Sequence, residues 1–278
     1  MKKLLVLGIT GKVGTSILKE FQNKFHVNGI SRKDFDVLDF EKLNNYIKIN
    51  NFDVVINCVA HLGIDPCEID PVNAHKSNTL LPRFLAEESN KHEFTLVHFS
   101  TDAVFADNFN NSYDESNSPC PVNIYGYSKY CGDLLVQNIA ERYYIIRIPL
   151  IFGFSQKKSQ FFEKMVEKII DSQDIKIADD IITTPTYSDD VAKEVLKIIS
   201  NNKEYGIYHV NNSGEVSLYG LISEYIKIKN ISTKISKSSY KDFQHIGRKN
   251  TKTILRSNKI PIMRSWKLAL SEYINNEL

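Results

Sequence analysis

Through its first half the chain alternates short apolar runs with segments of helical periodicity, and few folds accommodate that rhythm. Lys3 to Leu7, Val27 to Ser31, Asp53 to Val59, Thr95 to Ser100 and Tyr143 to Ile148 read as strands. Between them lie amphipathic stretches at Val13 to Phe21, Phe40 to Ile49, Val72 to Asn90 and from Ile124 onward. A strand with one solvated face alternates apolar with polar residues, whereas one covered on both faces reads as a near-continuous apolar run. The pattern therefore predicts a doubly wound α/β fold, a parallel sheet with helices on both faces. At 278 residues and 42% hydrophobic content the chain can bury a full core of this kind. Beyond Pro149 the rhythm loosens into a helix at Phe161 to Ile170, a strand at Ile175 to Ala178, a helix at Asp189 to Ile199 and a strand at Ile207 to Val210. A division at residue 150 is expected, with 151–278 forming a smaller α/β region against the sheet's C-terminal edge.

Composition narrows the class further. The net charge is +2 and basic residues are interspersed with acidic ones, so there is no broad basic face for nucleic acid. The start Met1-Lys2-Lys3-Leu4-Leu5-Val6-Leu7 imitates a signal peptide, but Gly8, Gly11 and Lys12 break its apolar run. It reads as the first strand. No stretch approaches the roughly 20 apolar residues of a membrane helix. Cys58, Cys67, Cys120 and Cys131 lack metal-ligand spacing and read as free thiols, so a cytoplasmic location with no membrane partner is expected.

Gly8-Ile9-Thr10-Gly11-Lys12-Val13-Gly14 follows the first strand and opens the first helix. Glycines there allow a tight turn and close backbone approach to a pyrophosphate, and the helix N-terminus offers N–H groups to it. Gly8, Thr10, Gly11, Lys12, Val13 and Gly14 are thus the candidate phosphate-binding set of a Rossmann-type sheet spanning residues 1–150. The second strand ends at Ser31-Arg32-Lys33, where Arg32 suits a ribose 2′-phosphate. NADP(H) is the expected cofactor, and the nearby Asp34 leaves NAD(H) open.

The run His98-Phe99-Ser100-Thr101-Asp102 delivers Thr101 to the edge of an α/β sheet where ligands bind. Downstream, Tyr125-Gly126-Tyr127-Ser128-Lys129 opens a helix on which Tyr125 and Lys129, four apart, share a face. An ammonium near a phenol favours phenolate, which makes tyrosine a usable acid or base near neutral pH. Thr101 is placed to hydrogen-bond the reacting oxygen. With 14 Tyr and many Lys, the same spacing arises by chance; it recurs at Tyr225 and Lys229, which no hydroxyl-bearing strand end precedes, so that tyrosine is expected merely to pack.

With Gly8, Gly11, Gly14, Thr101, Tyr125 and Lys129 in this order, the chain resembles the extended short-chain dehydrogenase/reductases. Among them it is most similar to the dTDP-4-dehydrorhamnose reductase family, over nearly its whole length and as far as Arg264-Ser265-Trp266. The resemblance implies that Tyr125 is the general acid, that Lys129 holds the nicotinamide ribose and depresses the tyrosine's pKa, and that Thr101 polarises a sugar ketone, at C4. It also implies that Asp36 and Val37 border the adenine, that Cys58, Val59 and Ala60 line the cofactor through their backbone, and that Ser100 joins them.

Departures from the family pattern bear on the substrate. Ala103 stands where the rhamnose-type enzymes usually carry Tyr, and Leu150 where they often carry Trp, which implies a roomier pocket and a different sugar. A dehydratase is disfavoured, because it needs a second carboxylate after Asp102 and Ala103 supplies none. Asp102 is expected to hold its loop. His61 and Arg248 are candidate substrate contacts, Arg248 as one of the basic residues near the C-terminus that also include Lys249, Lys252, Arg256, Lys259 and Arg264; paired hydrogen bonds from such a residue suit a diphosphate. The loop Asp107 to Ser118 is long enough for a surface excursion or a lid. The leading expectation is an NADPH-dependent reductase of a nucleotide-linked keto-sugar, with a homodimer left open. The alternatives are an epimerase or dehydratase of nucleotide sugars, or a non-catalytic NADP-binding subunit like the regulatory subunit of methionine adenosyltransferase, which the chain also resembles around Arg147-Ile148-Pro149.

Overall fold

The computed structural model describes residues 1–108, 111–155, 160–171 and 174–276. A six-stranded parallel sheet forms its centre, built from β1 (Lys3–Leu7), β2 (His26–Ile30), β3 (Val54–Asn57), β4 (Thr95–Thr101), β5 (Tyr143–Ile148) and β6 (Gly206–His209) in the spatial order β2-β1-β3-β4-β5-β6. Leu4, Val6, Ile56, Val97 and Ile146 face one side and pack on α1 (Lys12–Phe21) and a second helix, Ser188–Ser200, through Ile17, Phe21, Val191 and Val195. Leu5, Leu7, Val55, Leu96 and Ile145 face the other side, against α2 (Phe40–Asn50), α3 (Leu81–Lys91) and α4 (Ile124–Ile139). Both faces of every central strand are thus dry, which is why those strands read as continuous apolar runs. The strand order reverses between β1 and β3, and that switch point opens a crevice at their C-terminal ends.

The sheet does not end at residue 150. Gly206–His209 pairs with β5 in parallel, and the Ser188–Ser200 helix, α6 once Phe161–Ile170 is counted as α5, covers α1. Residues 151–278 therefore supply both a sixth strand and a helix to the first layer. The remainder forms a second core in which Phe152, Phe162, Tyr187, Tyr225, Trp266 and Tyr273 interlock, Phe152 stacking on Tyr187 at 5.6 Å. Tyr225 packs edge-on against Phe162 there, far in role from the sheet edge.

The helix expected over Val72 to Asn90 is interrupted: Pro71–His75 leads into a π-helical turn, Lys76–Leu80, before α3 begins. Pro82 has no N–H to donate to the carbonyl of Asn78, so the helix widens there. That carbonyl abuts Gly132 of α4, where an added Cβ would lie 2.2 Å from it. The loop from Asp107 is not a lid in its described residues. Asp107 accepts from Thr251 and Lys252, Tyr113 N–H donates to Ile254 at 2.7 Å, and Arg256 pairs with Asp114 at 2.9 Å; residues 109 and 110 lie outside the described set.

Candidate active site

Thr101, the last residue of β4, and Tyr125, in the first turn of α4, meet at the sheet's C-terminal edge, with the two hydroxyls in hydrogen-bonding contact. The approach depends on two local devices. Asn123 caps α4 by accepting from Gly126 N–H at 2.8 Å, and its amide donates to the Arg248 carbonyl at 2.9 Å. Gly126 lets the helix sit directly on the Ala103 carbonyl, 2.1 Å from where a Cβ would stand. Lys129, one turn on, is buried, and its ammonium donates to the Phe99 carbonyl at 2.6 Å.

One expectation is overturned here. The Tyr125 pKa is not depressed in this arrangement; burial pushes the phenol up instead, and the negative charges of Asp102 and Asp133 add to that rise. The first cause is burial of the phenol between the strand end and the helix, and Asp133, one further turn along the same face, adds the smallest of the contributions that raise it. Lys129 itself is lowered to about 8, chiefly by burial and against the pull of Asp133.

Behind Lys129 lies a buried polar layer between the sheet and α4. Asn57, His98, Ser100, Arg147 and His209 occupy alternate positions of β3, β4, β5 and β6, and so face the same side. Arg147 Nε donates to Asp133 Oδ2 at 3.1 Å, with both side chains essentially sealed from solvent at 1% and 0% exposure. The guanidinium also lies 5.3 Å over the Phe105 ring. Sequence reasoning missed this layer because it weighed Tyr125 and Lys129 as a pair. The signal was a third polar residue at the same four-residue interval, Asp133, together with an Arg inside an otherwise apolar strand.

Asp102 accepts from Thr101 at 3.1 Å and from Thr253 at 2.7 Å, so it ties the strand end to the C-terminal segment, as a loop-holding role requires. Burial raises its pKa from the ordinary value near 3.8 to about 6. A raised folded pKa means that the folded protein binds the proton more tightly than the unfolded chain. This contribution to stability is present below pH 3.8 and is lost as pH rises through about 6. Asp102→Asn is expected to flatten that loss, so urea midpoints of the two proteins across this window should converge at the acid end and diverge in the variant's favour above it.

The glycine loop has the shape its motif implies. Gly8 has φ of +86°, its N–H donates to Ile30 at 2.9 Å, and a Cβ on Gly14 would stand 2.4 Å from the Gly8 carbonyl oxygen. Thr10, Gly11 and Val13 lie partly exposed along it. The Lys12 side chain, by contrast, points away: it is buried, ion-paired to Glu163 of α5 at 2.8 Å and donates to the Ile151 carbonyl at 3.0 Å. Only its backbone remains available to a phosphate, and the side chain joins the loop to the second core. Asp34 accepts from Ser31 N and Oγ, both at 2.8 Å, which folds the turn and leaves Arg32 exposed. Asp36 is exposed, and Val37 is buried in the core beneath α2. Cys58, Val59 and Ala60 follow β3, with Cys58 and Val59 against Gly8, and Ser100 is buried beside Asp133.

On the substrate side, Asn78 clamps the His61 backbone from both directions, at 2.9 and 3.0 Å, while the imidazole faces the Pro66 carbonyl. Ala103 is only 6% exposed and Leu150 packs on the second core, so neither presents much open surface. Of the six basic residues near the C-terminus, five have partners: Lys249 with Asp65, Lys252 with Glu215, Arg256 with Asp114, Lys259 over Tyr208, and Arg264 bidentate on Asp190. Among the described residues, Arg248 alone of the six is exposed with no such partner.

This arrangement has relatives. The spore coat polysaccharide biosynthesis protein SpsK of Bacillus subtilis is 28% identical over 279 residues, covering 99% of this chain and 97% of that one. A dTDP-4-dehydrorhamnose reductase of Mycolicibacterium smegmatis is 29% identical over 78% of this chain and 66% of its own. The crystal structure of a dTDP-4-dehydrorhamnose reductase from Clostridium acetobutylicum superposes with a TM-score of 0.93 at 28% identity over 99% of both chains. The Bacillus anthracis enzyme in complex with NADP shares the fold, at a TM-score of 0.94 and 24% identity over 99% of both. All of residues 1–278 match the family described as the RmlD substrate binding domain, and the chain belongs to that family.

Proposed function

We propose that the protein is an NADPH-dependent reductase of a nucleotide-linked keto-sugar. The observation that carries this reading is the meeting of the Thr101 and Tyr125 hydroxyls at the sheet edge beside the switch-point crevice, with Lys129 buried one turn behind. The turn formed by Gly8 and Gly14 fits a dinucleotide, because the close approach of Gly14 to the Gly8 carbonyl packs the loop onto the start of the first helix, whose N–H groups can then face a pyrophosphate. NADPH bound there supplies hydride to the ketone carbon. The protein's own part is to place the carbonyl oxygen between Thr101 and Tyr125, where Thr101 polarises it and Tyr125 gives up its phenolic proton as charge develops on that oxygen. The high pKa of the buried phenol suits an acid that starts protonated at neutral pH. Arg32 reads the 2′-phosphate of the cofactor, and Arg248, the exposed one of the six basic residues near the C-terminus with neither a carboxylate nor a ring as partner among the described residues, contacts the diphosphate of the substrate.

The test is cofactor oxidation by the purified protein over a panel of nucleotide-linked 4-keto sugars that includes dTDP-4-dehydrorhamnose. Turnover of at least one, lost in Thr101→Val, supports the reading. Firm NADPH binding with no turnover on any of them favours the non-catalytic binding subunit. A separate check concerns the glycine turn. Gly14→Ala forces Cβ to 2.4 Å from the Gly8 oxygen and 2.8 Å from Ile9 Cα, both backbone atoms that cannot swing aside. It is expected to cost about 1–3 kcal/mol of stability and to weaken NADPH binding at least about tenfold, as read by denaturation and by fluorescence titration.

A further inference from the structure

His98 is fully buried beside Lys129, and the reaction just described does not use it. Its neighbours fix where its single proton sits. The Val59 N–H donates to Asn57 Oδ1 at 3.1 Å, and a backbone amide can only donate, so Asn57 must turn its NH2 group toward His98. That NH2 lies 3.2 Å from Nδ1. Nδ1 is therefore the acceptor, and the proton of the neutral ring is on Nε2. Burial keeps the ring neutral by holding its pKa well below the ordinary histidine value.

Nε2 faces two groups, Lys129 Nζ at 3.4 Å and Asp133 Oδ1 at 3.8 Å. An Nε2–H cannot accept from an ammonium. It can donate to an uncharged amine or to a carboxylate. We propose that His98 is a positioning residue whose Nε2–H, fixed by Asn57, stabilises the uncharged form of Lys129 and turns to Asp133 when Lys129 is protonated.

The charges around Lys129 agree with this assignment. Asp133 faces it from its own helix, on which Tyr125 stands one turn before, His98 faces it from β4, Cys58 from just past β3, and Cys67 from the short helix Ile64–Ile69, with Arg147 of β5 behind Asp133. Arg147 stays charged and already neutralises Asp133, so a protonated Lys129 leaves the sealed cluster with one positive charge in excess. A lysine in that setting loses and regains a proton near neutral pH, and Lys129 at about 8 is in that range. The consequence for catalysis, a proton source for Tyr125 between turnovers, rests on the reductase reading; the tautomer does not.

The experiment is nitrogen-15 NMR of the full-length protein labelled at its seven histidines, with the His98 signal assigned by its absence from His98→Phe. The wild type is expected to show His98 protonated on Nε2 from about pH 6 to 9. In Asn57→Asp the carboxylate accepts from both Val59 N–H and the ring, so the proton is expected to move to Nδ1. Lys129 ionisation, followed by the pH dependence of its Cε carbon-13 chemical shift, is expected to rise by about one unit in His98→Phe. An Nδ1–H tautomer in the wild type overturns the proposal, as does a folded His98→Phe whose Lys129 titrates where the wild type does. If that variant does not fold, the wild-type and Asn57→Asp tautomers decide. Absence of turnover alongside the expected tautomers and Lys129 shift counts against the reductase reading alone.

Discussion

Tyr125→Phe is expected to lower kcat by about 10²–10⁴-fold while leaving NADPH affinity within a factor of about two. The substitution removes one oxygen and keeps the ring, so the packing of α4 on β4 through Gly126 and Ala103 is undisturbed. What is lost is the only phenol in contact with the Thr101 hydroxyl among the described residues, and with it the proton for the developing alkoxide. Tyr127, two residues along, points to solvent and cannot replace it. Stopped-flow measurement of NADPH oxidation separates the outcomes: a slow chemical step with an unchanged cofactor dissociation constant supports the assignment, and an undiminished rate means that another group is the acid.

Asp133→Leu should produce the largest loss of stability, on the order of 3–5 kcal/mol. The carboxylate is the partner of a guanidinium that is sealed inside the protein, and one nitrogen of Arg147, Nη1, already lacks a hydrogen-bond partner. Removing Asp133 strands that charge in a medium where it has no water to return to. Because native proteins are stable by only about 5–15 kcal/mol, such a loss shows directly in the urea midpoint. The double variant Asp133→Leu with Arg147→Met removes both charges and is expected to recover most of the loss, since a buried pair contributes little beyond what its desolvation costs. Failure of the second substitution to restore stability would mean that Asp133 acts through Lys129 rather than through Arg147.

The strands and the glycine loop were legible because they follow from local rules. A strand buried on both faces is apolar along most of its length, and a loop that approaches phosphate is glycine-rich, so Lys3 to Leu7 and Gly8 to Gly14 carry their reading on the surface of the text. The pair Tyr125 and Lys129 was legible for the same reason, helical spacing. What could not be read was anything decided by partners distant in sequence. Lys12 sits in a phosphate loop, yet Glu163 and Ile151 claim its side chain. The sign of the shift at Tyr125 is set by how deeply the fold buries the phenol, and the carboxylate that adds to it, Asp133, is itself held by a strand residue, Arg147. The break at Lys76–Leu80 came from an amide that Pro82 does not have, a local cause that helical periodicity alone passes over.

The return of Ser188–His209 to the first layer sets an order on synthesis. When residue 150 has left the ribosome, five strands are present, but β5 has a bare edge and the sheet face that Val191 and Val195 of α6 later cover is open. Both gaps close only after His209 emerges, some tens of residues later, at roughly 5–20 residues per second. For those seconds the nascent chain exposes an unpaired parallel edge and part of an apolar sheet face, a combination prone to association between neighbouring chains. A fragment ending at residue 150 is expected to be held in that condition permanently, because the edge partner of β5, Gly206–His209, lies beyond its end.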